Sequence, residues 1–337
     1  MEIILLLILV ALAFDFLNGM NDAANSIATI VSTRVLSPRK AVAWAAFFNF
    51  VAAFGFGVAV AKTIGKGIVD PEIITQSLIA AALLGAIAWT YFCTHYGFPI
   101  SVSHSLIGGL VGAGIYKAGV AALNMASITK VVVFIFVAPL IGMIVSFFLM
   151  ILVSWIFRNT NNAGTKRMFK VGQLISSAAY SLGHGTNDAQ KTMGIIAVLL
   201  FSSNVDLPIW MYDKSLGFYV PTWIIFAAYT AIGLGTLTGG WKVIQTMGVK
   251  LTHLQPVGGF SAETGGALVL FGTALFGIPV STTHTIAGSI MGVGATRRIS
   301  AVRWGIAGRM IWAWVLTIPA SALVAALTFY LIELFFH

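Results

Sequence analysis

The chain has 337 residues, of which 58% are hydrophobic and 9% charged. Soluble domains carry roughly a quarter charged residues, so a single water-exposed globular domain is excluded and lipid must solvate much of the surface. The net charge of +9 comes without an aromatic-interleaved basic patch and is assigned to loops beside a membrane, not to nucleic acid; the one cysteine, Cys93, excludes an internal disulfide and a cysteine metal cluster.

The chain opens on MEIILLLILVALAF, which has no basic n-region and no small-residue cleavage site, and reads as the start of a first membrane helix over 3–33. Within that run stands a polar stretch, NGMNDAANS (Asn18 to Ser26). Apolar runs follow at 40–61, 73–93, 98–116 and 128–157. A polar, basic linker, RNTNNAGTKRMFK, covers 158–170. The run at 171–201 carries a second polar stretch, HGTNDAQKT (His184 to Thr192), and further runs lie at 222–245, 262–276, 277–295 and 304–336. The pattern is five segments, a linker and five segments.

The two halves repeat. Gly19, Asn21, Asp22 and Ala23 correspond to Gly185, Asn187, Asp188 and Ala189. GFPISVSHSLIGGLVGAG (97–114) matches GIPVSTTHTIAGSIMGVG (277–294) at seven of eighteen positions. Two matches in the same order, in interrupted hydrophobic segments, mark a secondary transporter. With residue 1 outside, alternate connections place twelve basic residues inside against five outside. The positive-inside rule supports that orientation. It starts one repeat outside and the other inside, so the repeats are expected to be inverted. The expected fold is an all-α integral membrane protein of two inverted-topology repeats, 1–157 and 171–337, each with a broken transmembrane helix and a re-entrant helical hairpin. The segments 73–116 and 262–295 read either as hairpins or as paired spans; the hairpin is favoured because 262–276 is short for a span and the second arms are Gly-rich.

A carboxylate at bilayer depth costs several kcal/mol, on the order of 3, on insertion scales. No basic residue stands near Asp22 in sequence. A bound cation is the simplest partner, with the amide oxygens of Asn21 and Asn187 and carbonyls exposed by unwinding at Gly19 and Gly185. Hard oxygen donors suit Na⁺; the alternative is a pair of protonated, hydrogen-bonded aspartates. The P-x-S-x-[ST]-H motifs point to the opposite charge. Pro99 and Pro279 suit a first helical turn, and Ser101, Ser103, Ser105, Ser281, Thr283 and Thr285 line it. Helix N-termini present free N–H groups to anions. Lys191, whose counterpart is Asn25, either touches the anion or pairs with Asp188 at i, i+3. His104 and His284 are proton relays or backbone-bonded histidines. Asp15, whose counterpart is Ser181, is placed in the path, Glu263 at a hairpin entrance, and Trp210, Tyr212, Tyr219 and Trp223 in an interfacial belt.

These residues resemble the inorganic phosphate transporter (phosphate permease) family, whose signature G-x-N-D-x-x-N-[ST] is matched by Gly19, Asn21, Asp22, Asn25 and Ser26. The second copy matches at Gly185, Asn187, Asp188 and Thr192, with Gln190 and Lys191 departing from it. The resemblance implies symport of phosphate into the cell with Na⁺, or with H⁺, by alternating access, and a homodimer. It assigns phosphate to Asp22, Asn25, Ser26, Ser103, Ser105, Asp188, Gln190, Lys191, Thr192, Thr283 and Thr285. Sodium falls to Asn21, Asp22, Ser101, Ser103, Asn187, Asp188, Ser281 and Thr283. No cofactor is expected beyond the coupling ion. The expected location is the cell membrane, multi-pass, with both termini outside. The alternative substrate is another oxyanion such as sulfate. A membrane hydrolase needs one nucleophile and one base in unequal roles, and duplicated Ser/His motifs argue against it.

Overall fold

The structure, a computed structural model, describes residues 1–55, 57–160, 163–248 and 250–336. The described residues form an all-helical molecule. Helices α1 (Glu2–Ser32), α2 (Pro38–Val51), α3 (Ala59–Gly67), α4 (Gln76–Tyr96), α5 (Val102–Ala118) and α6 (Met125–Ile156) build the first half. Helices α7 (Ala163–Ser202), α8 (Thr222–Thr238), α9 (Trp241–Gly248), α10 (Pro256–Leu275), α11 (Thr282–Arg297) and α12 (Trp304–Phe336) build the second. By length and composition, α1, α4, α6 and α12 can each cross a membrane. The pairs α2/α3 and α8/α9 add two more spans if each bent pair counts as one; they are bent by 86° and 75°.

The runs at 40–61 and 222–245 are therefore two helices each, where the hydropathy reads one. The second break falls at Gly239, whose φ of 66° ends α8. The linker is also shorter than expected. Asn161 and Asn162 lie outside the described residues, and from Ala163 onward the chain is already in the 40-residue α7. Lys166, Arg167 and Lys170 project from its first turns, where strong helix formers in TKRMFK favour helix over loop.

Both polar stretches sit in uninterrupted helix, α1 and α7. The expected unwinding at Gly19 and Gly185 does not occur, because these glycines serve close packing. A Cβ on Gly19 would lie 2.1 Å from the carbonyl oxygen of Ile232 in α8, and one on Gly185 2.6 Å from that of Asn49 in α2. Small residues let backbones approach in this way.

The packing repeats with the halves exchanged. α1 rests on α8 and α9 as α7 rests on α2 and α3, and α12 packs on α4 and α5 as α6 packs on α10 and α11. The turns between α4 and α5 and between α10 and α11 use glycines at equivalent places, Gly97 and Gly277, with φ of 75° and 63°. Pro99 and Pro279 lie two residues before the N-caps Ser101 and Ser281 and not inside the first helical turn as expected. α5 and α11 have 17 and 16 residues, short of the roughly 20 a span needs.

Candidate functional site

The N-termini of α5 and α11 meet between the mid-points of α1 and α7. Ser101 and Ser281 cap them, each hydroxyl accepting from the amide three residues on, His104 at 3.3 Å and His284 at 3.2 Å. Each hydroxyl thereby spends one of its two lone pairs on its own helix. Ser105 and Thr285 bond back to the Ser101 and Ser281 carbonyls at 3.5 and 2.9 Å. The first two amides of each helix, those of Val102 and Ser103 and of Thr282 and Thr283, have no intrahelical acceptor and lie, with the positive end of each helix dipole, beside one shared space.

Both repeated carboxylates reach the tip of α11, Asp22 from the opposite half and Asp188 from its own. Asp22 Oδ1 lies 3.1 Å from Thr283 Oγ1, and that hydroxyl is also 3.0 Å from the carbonyl of Ile100 at the opposite tip. Asp188 Oδ2 accepts from Thr282 Oγ1 at 2.8 Å. Asn25 ties the two together, its amide donating to Thr282 and Thr283 at 3.2 and 2.9 Å. Lys191 Nζ donates to Asp188 Oδ1, to Ser103 Oγ and to the Val280 carbonyl, the last at 3.0 Å. The ion pair with Asp188 is therefore made, and it includes two further oxygens. All of these side chains are buried; Lys191 is 1% exposed.

His184 stands between the carboxylates, its Nε2 3.1 Å from Asp188 Oδ2 and 3.9 Å from Asp22 Oδ2. Its other nitrogen meets Asn49 Oδ1 at 3.0 Å. The Asn49 amide donates to Thr236 Oγ1, whose own proton goes to the Ile232 carbonyl. That chain leaves Asn49 Oδ1 as the acceptor and Nδ1 of His184 as the donor. Ligand atoms of Asp22, His184 and Asp188 all lie within 4.8 Å of one another, a spacing that could hold a metal ion. The hydroxyls and carbonyls around them are hard donors, which suit an alkali cation better than a transition metal.

The other sequence-selected residues divide. Asn21 bonds Thr94 at 2.6 Å and Asn187 bonds the Gly183 and Leu270 carbonyls, which turns both amide nitrogens toward α4 and α10; both amide oxygens are buried without a hydrogen-bond partner. Ser26 and Thr192 are buried with unpartnered hydroxyls. Gln190 is drawn away: its side-chain oxygen accepts from the amides of Val60 and Ala61 at 2.9 and 3.3 Å and so caps α3. His104 and His284 meet ring to ring at 4.9 Å, and His284 stacks on Trp314 at 3.9 Å. The His284 ring also lies beside the backbone of Ile135 in α6, so ring contact and a backbone neighbour together hold it. Asp15 is fully buried beside Asn18, 3.4 Å away. Glu263 is not at an entrance; it is buried in α10, held by Thr29 at 2.5 Å, Ser176 at 2.5 Å and Gln173 at 3.2 Å. Of the expected aromatic belt only Trp210 is well exposed, while Tyr212 is buried and stacks on Tyr219.

Sequence reasoning missed five contributors. Thr282, His184 and Asn49 carry side chains, and Ile100 and Val280 carry the two tip carbonyls. Thr282 had a signal, since its counterpart in the repeat is the apolar Val102. His184 corresponds to Asn18, and a polar residue at both positions was the available clue.

Residues 18–325 match the model of the phosphate transporter family. A probable low-affinity inorganic phosphate transporter of Rhizobium meliloti is 54% identical over 97% of this chain and 96% of its own length. One of Bacillus subtilis is 45% identical over 98% of each chain. Among solved structures, one described as the sodium-dependent phosphate transporter superposes with a TM-score of 0.89 at 25% identity, covering 99% of this chain and 100% of that one.

Proposed function

The chain belongs to the phosphate transporter family, a family of transporters and not of enzymes, and from that premise we propose that it imports phosphate by cation-coupled symport, with Na⁺ favoured over H⁺. The observation that carries this reading is the link of each carboxylate to the helix tip of the opposite half: Asp22 meets Thr283 directly, and Asp188, bonded to Thr282 of its own half, is joined to Ser103 through Lys191. Two helix N-termini supply amide donors for an oxyanion, and the carboxylates beside them hold the cation that offsets its charge. Phosphate then lies against the first turns of α5 and α11, with Asn25, Lys191 and the hydroxyls of Ser103 and Thr283 at its edge. Ser26 and Thr192, with buried unpartnered hydroxyls, line the same core.

The coupling ion is assigned to oxygen donors. At the Asp22 end one hydroxyl, Thr283, faces both a carboxylate and a carbonyl. A hydroxyl has a single proton, so one of the two acceptors is left to a cation. The repeats 1–157 and 171–337 are read as inverted about the cytoplasmic connection 158–170. The helix pairs α4/α5 and α10/α11 are read as re-entrant hairpins, because their second arms are too short to span and their tips touch. Both termini then lie outside, and the two hairpins with their bent helices exchange access from one side of the cell membrane to the other. A homodimer is the assembly that the resemblance implies.

The test is uptake of labelled phosphate into proteoliposomes with Na⁺ and pH gradients imposed separately. Accumulation driven by a Na⁺ gradient at constant pH is expected. Accumulation driven by a pH gradient alone would reassign the coupling ion to H⁺. Accumulation under neither would refute symport.

A further inference from the structure

The two halves of the site present the same three oxygens, and only one set is bonded to a cation of the chain itself. In the second half the set is Asp188 Oδ1, Ser103 Oγ and the Val280 carbonyl, all accepting from Lys191 Nζ. Ser103 and Thr283 are equivalent in the repeated motif, as are Ile100 and Val280, and Asp22 and Asp188. The first-half set is therefore Asp22 Oδ1, Thr283 Oγ1 and the Ile100 carbonyl, and the distances of 3.1 and 3.0 Å from Thr283 show that these three converge as well. The residue equivalent to Lys191 is Asn25, whose amide turns to Thr282 and Thr283 and makes no hydrogen bond to Asp22.

Donor counting separates the two cradles. An ammonium has three N–H donors and no acceptor, and Lys191 meets three acceptors. Its charge also answers the Asp188 carboxylate, which a buried carboxylate requires. In the first cradle the Thr283 hydroxyl offers one proton to two acceptors, and the nearest cationic group, His184, stands 3.9 Å from Asp22 Oδ2, the oxygen facing away from Thr283. The first cradle thus has surplus acceptors and a charge to answer, while the second has neither.

We propose that the Lys191 ammonium is a resident counter-ion that fills the second-half cation cradle, so that a transport cycle takes up a single cation, at Asp22, Thr283 and Ile100. This inference rests on the cation-coupled reading above. It assigns Lys191 to the coupling machinery, and it makes a sequence-symmetric site chemically one-sided.

The experiment uses Na⁺ as the probe and two readouts. One is the melting midpoint of the purified protein titrated with NaCl against choline chloride at constant ionic strength. The other is the steepness of phosphate uptake against Na⁺ in proteoliposomes. The wild type should show a Hill coefficient of about 1, and Lys191→Asn, which installs the first-half residue, should move it toward about 2, the number of sites then available. Lys191→Asn should also gain Na⁺-dependent stabilisation, and Lys191→Arg should not. The reciprocal variant Asn25→Lys, which puts an ammonium beside Asp22, should lose the Na⁺-dependent melting shift, and it keeps the test decisive if Lys191→Asn does not fold. A wild-type Hill coefficient near 2, a Lys191→Asn protein with wild-type Na⁺ dependence, or an Asn25→Lys protein that keeps the shift would overturn the inference while coupling stands. A wild type indifferent to Na⁺ in both readouts would overturn the coupling reading and the inference together.

Discussion

Asp22 and Thr283 meet at 3.1 Å although they belong to opposite halves of the chain. Hydrogen bonds to a charged group contribute about 1.5–3 kcal/mol, or about one to two decades in an equilibrium at about 1.4 kcal/mol per decade. Asp22→Asn removes the charge and keeps the shape. We expect it to lower apparent cation affinity by at least about tenfold and to abolish accumulation at moderate Na⁺, with melting unchanged or raised. Full coupled uptake in this variant would remove Asp22 from the cation site.

Asp188→Asn should behave differently, because Asp188 is bonded to Lys191. Breaking a buried ion pair by removing one partner destabilises by about 3–5 kcal/mol, since the other charge is left unanswered. The expected result is loss of uptake together with a clearly lowered melting midpoint. The double variant Asp188→Asn with Lys191→Met should recover much of the stability and none of the uptake. Equal melting of the two single aspartate variants would contradict the asymmetry of the pair.

Helix contact through glycine is equally open to test. A Cβ on Gly19 would meet the Ile232 carbonyl oxygen at 2.1 Å, whereas one on Gly55 meets nothing within 4 Å. Overpacking of this kind costs about 1–3 kcal/mol. Gly19→Ala should therefore lower the melting midpoint in detergent, and Gly55→Ala should leave it in place. Had Gly19 served to unwind α1, its substitution would instead affect transport with little change in melting.

Much of this architecture is legible in the sequence, and the limits are physical. The paired NDA and P-x-S motifs announce a repeated, buried polar site because a carboxylate in an apolar run needs a partner. Their period does not announce who that partner is. The approach of Asp22 to Thr283, and of Lys191 to Ser103 and Val280, depends on how the halves interlock, which no local pattern encodes. Gln190 illustrates the same limit: it lies inside the motif, yet its side chain caps α3 through Val60 and Ala61. The break at Gly239 was hidden because hydropathy does not change across a bend. Glycines 19 and 185 were read as sites of unwinding, when the neighbour that needs them small is another helix.

Orientation follows from the basic residues and can be read by labelling. Cys93 is buried, so a Cys93→Ala background is suitable. Asn159 and Asn204 are both exposed and lie in connections predicted to face opposite sides. With cysteine at each in turn and an impermeant reagent on intact cells, the Asn204 variant should react and the Asn159 variant should stay protected until the membrane is opened. The reverse pattern would refute external termini, and reaction at both or neither would refute the placement of these connections on opposite sides.

Substrate choice rests on protons. Phosphate and sulfate are both tetrahedral oxyanions, but near neutral pH phosphate keeps one or two protons and sulfate keeps none. Asp188 is already occupied by Lys191 and Thr282, whereas Asp22 Oδ2 is 3.9 Å from its nearest charged neighbour, His184. Asp22 can therefore accept a hydrogen bond from a phosphate hydroxyl. Sulfate would set a bare oxygen against the same carboxylate. A site built to pair a substrate hydroxyl rejects the analogue lacking it by about four orders of magnitude. The cation held at the other face of Asp22 softens the repulsion, which lowers the expected discrimination to about two to three orders. Arsenate, which keeps the proton and the shape, should compete with labelled phosphate for uptake, and sulfate in large excess should not. Alanine at Thr283, whose hydroxyl joins Asp22 to the opposite tip, should weaken phosphate uptake more than alanine at Ser105, whose hydroxyl is turned to its own helix. Inhibition by sulfate as strong as that by arsenate would break the proton argument and return the site to a general oxyanion carrier.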